Sequence, residues 1–277
     1  MAVLRLIRGI CREGAEVYDA DGRLVVLRAW SPDGPTWPKV NEALLKAVNA
    51  LESTAPTFGG GKRGEFQAYY FGLHRGSQRD PMMSAYTRQH MDVYEGVQKI
   101  LESVRTHVAG IFATNFPNIY KRYAAALDFV EDAIPDVRAA FYPFACFAFN
   151  VGTVVCNPHK DFLNFITGLC LIIPFGKFDH TTCCRLIVRE LGVEFEVGAG
   201  IPILIPSAMY THYNTLLTKA GVRQSFTAWT GGPVVQWADL NGRSVSQLSK
   251  KEHEQYASSL PMRLAEGLAL FPVHKGF

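Results

Sequence analysis

The sequence predicts an α+β protein, with helices in its first half and a β-sandwich or barrel in its second. Two patterns predict this division. Between 84 and about 133, apolar residues recur at helical spacing. From 140 to 230, short apolar runs alternate with turns rich in Gly, Pro, Asn or Asp, which is typical of an antiparallel sandwich or barrel. At 277 residues and 48% hydrophobic residues, the chain can bury a substantial core, so we predict one domain over 1–277.

The first 139 residues are predicted to support that core. The runs 2–10 and 22–30 have the pattern of strands, and Asp19-Ala20-Asp21-Gly22 is predicted as the turn of a small hairpin. Residues 39–53 carry apolar side chains at helical spacing, which predicts an amphipathic helix. Residues 54–81 contain three consecutive glycines and several basic residues. They are predicted to form a long, flexible loop, and loops of that length are usually functional or disordered.

The core is predicted to occupy 140–240, and the chain to end in a helix within 241–277. That helix is expected from Ser246 to about Leu268. The predicted core strands are 144–149, 153–156, 169–174, 185–190, 193–197, 201–205 and 222–229.

Composition narrows the class of protein. The six cysteines have no CxxC spacing, which predicts reduced core thiols and neither disulfides nor zinc. No apolar run reaches the roughly 18 residues of a membrane span, so we predict an intracellular protein with no membrane association. The net charge of +3 neither requires nor excludes a polyanionic partner. Oligomeric state is not predicted.

The segment His159-Lys160-Asp161 follows an apolar run, and a further candidate ligand, His212, lies 53 residues after His159. Two imidazoles and one carboxylate on one face of an iron ion form the facial triad of non-haem Fe(II) oxygenases, which leaves positions open for a co-substrate and dioxygen. A lone His-x-Asp is equally typical of a polar turn between strands. We predict that His159, Asp161 and His212 bind the metal and are catalytic.

Arg223 and Ser225 supply the second part of this hypothesis. Arg223 follows His212 by 11 residues, and residues two apart on a strand face the same side. The guanidinium can bind the distal carboxylate of 2-oxoglutarate through paired hydrogen bonds, while the keto-acid end chelates iron. The set predicts a dioxygenase that uses Fe(II), 2-oxoglutarate and dioxygen. The alternative, a cupin with another metal or none, would not require Arg223-Gln224-Ser225.

Several phrases of the sequence resemble a known family. They lie at 58–61, 110–114, 147–152, 158–161, 178–180, 191–195 and 203–208. Through them the chain resembles the basidiomycete branch of the TET/JBP oxygenases over roughly residues 55–240. The metal and Arg-x-Ser parts are shared across the oxygenase superfamily, whereas the Gly-Gly-Gly and Pro-Ser-Ala phrases are more specific to the branch.

The resemblance implies a double-stranded β-helix (jelly-roll) core flanked by helices. It also implies oxidation of a methyl group on a nucleic-acid base, with 5-methylcytosine in DNA as the first expectation, on a base flipped out of the duplex. DNA would then be the partner and the nucleus the location. By the family pattern, Asn164 lies where the polar edge of the base is bound, and Trp229 could line the same pocket. A turn-forming side chain is the alternative for Asn164.

Two further sets of basic residues are candidates. Four basic residues of the segment 54–81 could contact phosphates, or could belong to an ordinary solvated loop: Lys62, Arg63, Arg75 and Arg79. Related sequences tend to have Gly-Gly-His where this chain has Cys183-Cys184-Arg185. Arg185 could therefore replace a histidine that binds 2-oxoglutarate, or could indicate a changed substrate.

Two other functions remain open from the sequence. One keeps the iron and 2-oxoglutarate chemistry but hydroxylates a small molecule or a protein side chain. The other is a non-catalytic DNA- or protein-binding module on a degenerate oxygenase fold. Kinship of fold does not decide among substrates.

Overall fold

The computed structural model describes residues 5–7, 14–29, 36–59, 61–218 and 220–274. The described strands form a large sheet and a small sheet. Parts of the predicted runs 2–10 and 22–30 fall outside these residues.

The strands are named in chain order. They are β1 (Arg5–Ile7), β2 (Ala15–Tyr18), β3 (Leu24–Arg28), β4 (Phe58–Gly59), β5 (Gln67–His74), β6 (Met82–Met83), β7 (Cys146–Val151), β8 (Cys170–Lys177), β9 (Leu186–Val188), β10 (Val193–Phe195), β11 (Ile203–Ile205), β12 (His212–Asn214) and β13 (Val222–Trp229). The helices are α1 (Thr36–Asn49), α2 (Ala85–Gln89), α3 (Met91–Asn115), α4 (Pro117–Ala133), α5 (Gly232–Asp239), α6 (Lys250–Ser258) and α7 (Leu260–Leu268), with a 3-10 turn at Val245–Gln247.

The large sheet has the order β2-β3-β11-β8-β13-β7-β5-β4, and β6 pairs with β5. The small sheet has the order β1-β10-β9-β12. All of these pairs are antiparallel except β1 with β10. The last strand, β13, therefore lies in the interior of the large sheet, between β8 and β7.

The two faces of the large sheet have different side chains because successive residues of a strand point to opposite faces. On β7, Phe147 and Phe149 are fully buried in the hydrophobic core. Ala148 and Asn150 instead line a cavity on the opposite face. The Phe147 ring also stacks with Tyr94 of α3, 6.4 Å between centroids, so the apolar face is the one that the helices cover.

The helices α3 and α4 form as the apolar spacing predicts. Val97, Leu101 and Phe112 of α3 are buried, which places one stripe of this helix in the core. Pro117 begins α4, where its missing N–H costs no helical hydrogen bond. None of the described helices is long and apolar enough to cross a membrane.

Four details of the predicted fold are wrong. The turn over residues 19–22 forms as predicted, but the hairpin that it closes consists of β2 and β3, whereas β1 pairs with β10 in the small sheet. Residues 54–81 are not one flexible loop, because β5 pairs with β7 over six residues. Residues 153–156 form no strand. The backbone N–H of Val154 donates to the carbonyl of Arg223, but the N–H of Cys156 donates to the side-chain oxygen of Asn214 and not to a strand partner. The C-terminal helix is divided into α6 and α7, because Pro261 cannot continue a helix through its position.

Gly176 lets β8 and β13 approach closely beside Arg223, its partner in the sheet register. Its φ is +112°, and a Cβ there would lie 2.3 Å from Val222 O. Gly176→Ala is therefore expected to lower the free energy of unfolding by about 2–4 kcal/mol, measured by urea denaturation. In Gly96→Ala, the matched control within α3, a Cβ meets nothing within 4 Å. This control should raise stability by about 0.5–1 kcal/mol, and equal changes in the two variants would contradict the steric account.

Candidate metal centre

His159 and His212 lie opposite each other, although 53 residues separate them in the chain. Each backbone N–H donates to the other residue's carbonyl, at 3.2 Å from His159 and 2.9 Å from His212. This antiparallel bridge brings the two imidazole centroids to 4.3 Å. Backbone pairing thus sets the spacing of the two imidazoles.

Both imidazoles are oriented through Nδ1. The Nδ1 of His159 lies 2.7 Å from Asn157 O, and the Nδ1 of His212 lies 3.2 Å from Tyr210 O. A carbonyl can only accept, so these contacts assign the proton to Nδ1 and leave a lone pair on Nε2 for a metal. Burial lowers the pKa of His212, which favours the neutral, metal-binding imidazole.

Asp161 completes the cluster. Its Oδ1 is 3.8 Å from His159 Nε2, and its Oδ2 is 3.7 Å from His212 Nε2. The three ligand atoms lie within 4.8 Å of one another, which suits one cation between them. Oδ1 is buried and accepts no hydrogen bond from the described residues. A buried carboxylate oxygen without a well-oriented hydrogen bond is costly, and a metal ion would reduce that cost, so the residues fit the implied iron.

Asn164 positions the carboxylate of Asp161. Its Nδ2 donates to Ser207 Oγ at 2.9 Å and reaches Asp161 Oδ2 at 3.5 Å. Its backbone N–H also donates to Asp161 O at 2.9 Å. Such contacts around a ligand fix its orientation. The structure therefore gives Asn164 a contact with the metal carboxylate that the sequence did not predict.

Arg63 approaches the same carboxylate from the glycine-rich segment. Its Nη2 lies 2.9 Å from Asp161 Oδ1, as an ion pair without hydrogen-bond geometry. The Arg63 side chain is 57% exposed, so solvent screens much of this attraction. A guanidinium at this oxygen competes with a cation for Oδ1.

Arg63→Ala is expected to tighten metal binding by about two- to fivefold, the range of a surface ion pair. Competition titration with Mn²⁺ against a fluorescent chelator measures the change. Arg75→Ala is the matched control, because Arg75 also lines the cavity but its Nε donates to Arg79 O and not to Asp161. Weaker metal binding in Arg63→Ala would show that Arg63 supports the ligand and does not compete for it.

Arg223 is the second unusual charge of the site. It is 3% exposed, and its Nε has no hydrogen-bond partner among the described residues. Its Nη1 has a long contact of 3.4 Å with Val154 O, and no described carboxylate pairs with it. Burial lowers the pKa of Arg223, the expected direction for a cation removed from water. An anionic ligand would satisfy this group, so the residue fits the distal carboxylate of 2-oxoglutarate.

Ser225 lies two residues further along β13, with its side chain in the same cavity. Its Oγ accepts a hydrogen bond from Asn150 Nδ2 at 3.1 Å. The hydroxyl hydrogen of Ser225 therefore remains able to donate to a carboxylate near Arg223.

One cavity of about 870 Å³ contains all of these groups and lies between the two sheets. Four alternate residues of β13 line it: Arg223, Ser225, Thr227 and Trp229. At about 3.4 Å per residue, the line from Arg223 to Trp229 covers roughly 20 Å. The cavity can therefore hold a co-substrate at the arginine end and a substrate at the tryptophan end.

The tryptophan end of the cavity is aromatic. Trp229 stacks on Tyr70 of β5, with centroids 5.6 Å apart and planes 25° apart. The ring of His74 contacts Tyr70 edge-on, 6.1 Å between centroids, and His74 lines the same region. Because the sequence predicts a loop over β5, it does not single out Tyr70 or His74. The aromatic-rich run 67–74 was the available signal.

No protein-family model and no curated protein sequence matches the chain. Among solved structures, NgTET1 in complex with 5mC DNA has a TM-score of 0.56 and 15% identity, and the match covers 82% of each chain. The chain has the fold of NgTET1. The prediction of a double-stranded β-helix core flanked by helices is thereby confirmed.

Two more distant structures share less of the geometry with the chain. One is an oxidoreductase of the 2OG-Fe(II) oxygenase family from Burkholderia pseudomallei, with a TM-score of 0.37, 15% identity and coverage of 72% of this chain and 82% of that one. The other is a viral collagen prolyl hydroxylase from Paramecium Bursaria Chlorella virus-1, with a TM-score of 0.38, 8% identity and coverage of 79% and 98%.

Arg185 does not lie at the cavity that this NgTET1-like fold encloses. Its guanidinium pairs with Glu194 at 3.2 Å and Glu196 at 3.4 Å, and it also donates to Thr181 O. Leu186, the next residue, is the one that lines the cavity. The prediction that Arg185 binds 2-oxoglutarate therefore needs correction, because two carboxylates already neutralise its charge.

The mouth of the cavity is basic. Lys62, Arg63, Arg75 and Lys160 line it, whereas Asp161 is the one carboxylate among the lining residues that the structure describes. Lys160 is paired with Glu190 at 3.1 Å. Of the four residues predicted to contact phosphates, Lys62, Arg63 and Arg75 thus line the cavity of the candidate metal centre, whereas Arg79 does not.

Proposed function

We propose that the protein is an Fe(II)- and 2-oxoglutarate-dependent dioxygenase that oxidises a methyl group on a nucleic-acid base, with 5-methylcytosine in DNA as the first candidate. One observation carries the proposal. A single cavity joins a two-histidine, one-carboxylate cluster to a buried arginine for which the described residues provide no carboxylate partner. These are the two binding functions that iron and 2-oxoglutarate together require.

In the proposed mechanism, His159, Asp161 and His212 would hold the iron. Bound iron would supply the oxidative chemistry, in which one oxygen atom of dioxygen enters the substrate methyl group and the other enters the succinate formed as 2-oxoglutarate loses carbon dioxide. Arg223 and Ser225 bind the distal carboxylate and thus orient the keto acid. The enclosing sheets exclude water from the reacting groups.

Asn164 and Trp229 are proposed to bind the base. The amide of Asn164 is committed to Ser207 and Asp161, which leaves its Oδ1 as an acceptor near the metal. The exocyclic amine of cytosine is a donor that can meet this oxygen. The ring of Trp229, held against Tyr70, offers an apolar wall for a planar base.

A nucleic acid is favoured over a small molecule by the charge of the mouth. Lys62 and Arg63 are exposed beside it and can meet phosphates. The solved complex of NgTET1 with 5mC DNA supports the same choice. If DNA is the substrate, the expected location is the nucleus.

The decisive experiment is mass spectrometry of nucleosides after incubation with Fe(II), 2-oxoglutarate, ascorbate and methylated duplex DNA. We expect 5-hydroxymethylcytosine, absent when 2-oxoglutarate is omitted. Release of succinate without any modified nucleoside would favour the small-molecule or protein substrate. Binding of iron without any consumption of 2-oxoglutarate would favour the non-catalytic module.

A further inference from the structure

Phe162 and Leu163 directly follow the candidate ligand Asp161 and form what we call the apolar turn. Their side chains are 80% and 77% exposed, more than any other large hydrophobic side chain among the described residues. Both line the mouth of the cavity. Single exposed apolar residues are ordinary, but two adjacent ones at the entrance of a candidate active site indicate an interaction surface.

The backbone of the apolar turn is held in place. Gly232 N–H donates to Leu163 O at 2.8 Å, and Asn164 N–H donates to Asp161 O at 2.9 Å. Just beyond the turn, Phe165 N–H donates to Thr230 O at 2.9 Å. The two side chains therefore project from a fixed base, and this arrangement suits a rigid wedge better than a mobile lid.

The surroundings of the apolar turn suit a polyanion with apolar faces. Lys62, Arg63 and Arg75 line the same cavity, and the only carboxylate among its described lining residues is the candidate ligand Asp161. A second copy of this chain would bring the same positive charges against these, which disfavours self-association through this face. A nucleic acid offers both phosphates for the cations and base faces for Phe162 and Leu163.

We propose that the apolar turn enters the base stack of duplex DNA and occupies the place of the base that is drawn into the cavity. This inference rests on the proposed function and assigns a further part of its substrate site. Apolar wedges of this kind unstack neighbouring base pairs, and unstacking is the cost that limits access to a paired base. Because the turn adjoins Asp161 in the chain, the vacated position in the duplex would lie next to the metal centre.

The test compares two duplexes, one with 5-methylcytosine paired to guanine and one with 5-methylcytosine opposite an abasic site, where extrusion is easier. In Phe162→Ala/Leu163→Ala, kcat/KM on the paired duplex should fall by about tenfold or more, as expected for loss of a wedge. On the abasic duplex the loss should be at least about fivefold smaller, since less unstacking remains to be done. Equal losses on both duplexes, or no loss on either, would overturn the proposal.

A binding measurement separates this inference from the proposed function. A 2-aminopurine placed beside the methylated base should brighten when wild-type protein binds the paired duplex without dioxygen, and brighten less with the double variant. Met262→Ala is the matched control, because Met262 is 57% exposed on α7 and does not line the cavity. It should behave as wild type.

If wild type oxidises no methylated base yet shows the wedge-dependent signal, the proposed function fails and the DNA wedge stands. If wild type oxidises the base but the 2-aminopurine signal is the same in the double variant, the wedge proposal is wrong and the proposed function stands. Sedimentation without DNA tests a third outcome. If wild type self-associates and the double variant does not, the apolar turn binds a second copy of the chain, and the proposal is overturned.

Discussion

Asp161→Ala is expected to abolish turnover, with a loss of more than about 1,000-fold, equivalent to about 4 kcal/mol. The variant leaves two neutral imidazoles and no anionic ligand, so Fe(II) is held weakly and without a fixed geometry. Anaerobic titration with Fe(II) and 2-oxoglutarate checks the cause, because the weak visible charge-transfer band of the complex should disappear.

The control for Asp161→Ala is Asp239→Ala, a carboxylate that pairs with Arg122 and does not line the cavity. It should keep turnover within about twofold of wild type, as surface pairs contribute little. An Asp161→Ala protein that retained the band and the turnover would exclude the proposed triad. His159→Ala provides an independent check, since it removes an imidazole and leaves the carboxylate.

Arg223→Met is expected to raise the KM for 2-oxoglutarate by about 100-fold or more, because a paired, charge-assisted contact with the distal carboxylate is lost. The matched control is Arg185→Met, because the guanidinium of Arg185 pairs with Glu194 and Glu196 outside the cavity. The control should change this KM by less than about threefold, as the ion pairs that it breaks do not reach the co-substrate. The reverse ranking would restore Arg185 as the co-substrate ligand.

Arg223→Met should also change stability in a direction opposite to its effect on activity. In the ligand-free protein, Arg223 is a buried cation with no carboxylate partner among the described residues. Replacing such a charge with an apolar side chain of similar length should stabilise the ligand-free protein by about 1–3 kcal/mol. In wild type, 2-oxoglutarate at 100 times its Kd should add about 2.7 kcal/mol, and in the variant this gain should be lost. Thermal unfolding with and without 2-oxoglutarate measures both effects.

The site was easier to predict from the sequence than the elements around it. His159, Asp161, His212 and Arg223 are chemically distinctive, and the structure brings all four to one cavity. The bounds predicted for the last strand, 222–229, are confirmed. The variants above test the proposed roles of these four residues as iron and co-substrate ligands.

Predictions failed where local sequence and tertiary pairing disagree. The run 67–74 follows three glycines and precedes a basic, polar stretch, so it was assigned to a loop. Its pairing with β7 is a long-range contact that no local pattern shows. Arg185 was assigned by position in a family pattern, but the nearby Glu194 and Glu196 decide its partner. The contact of Asn164 with Asp161 was hidden because it depends on a turn geometry and on Ser207, 43 residues away.

The place of β13 in the large sheet has a consequence for how the protein is made. It is the last of the described strands, yet it separates β8 from β7 in the sheet. During synthesis on the ribosome, the edges of β7 and β8 that will pair with β13 therefore remain unpaired until residues 222–229 emerge. Unpaired strand edges favour association with other chains. Arg223 arrives on the same strand. The nascent protein thus lacks the proposed co-substrate ligand until its sheet is complete, and we expect a chain that terminates before residue 222 to be aggregation-prone and to lack the proposed activity.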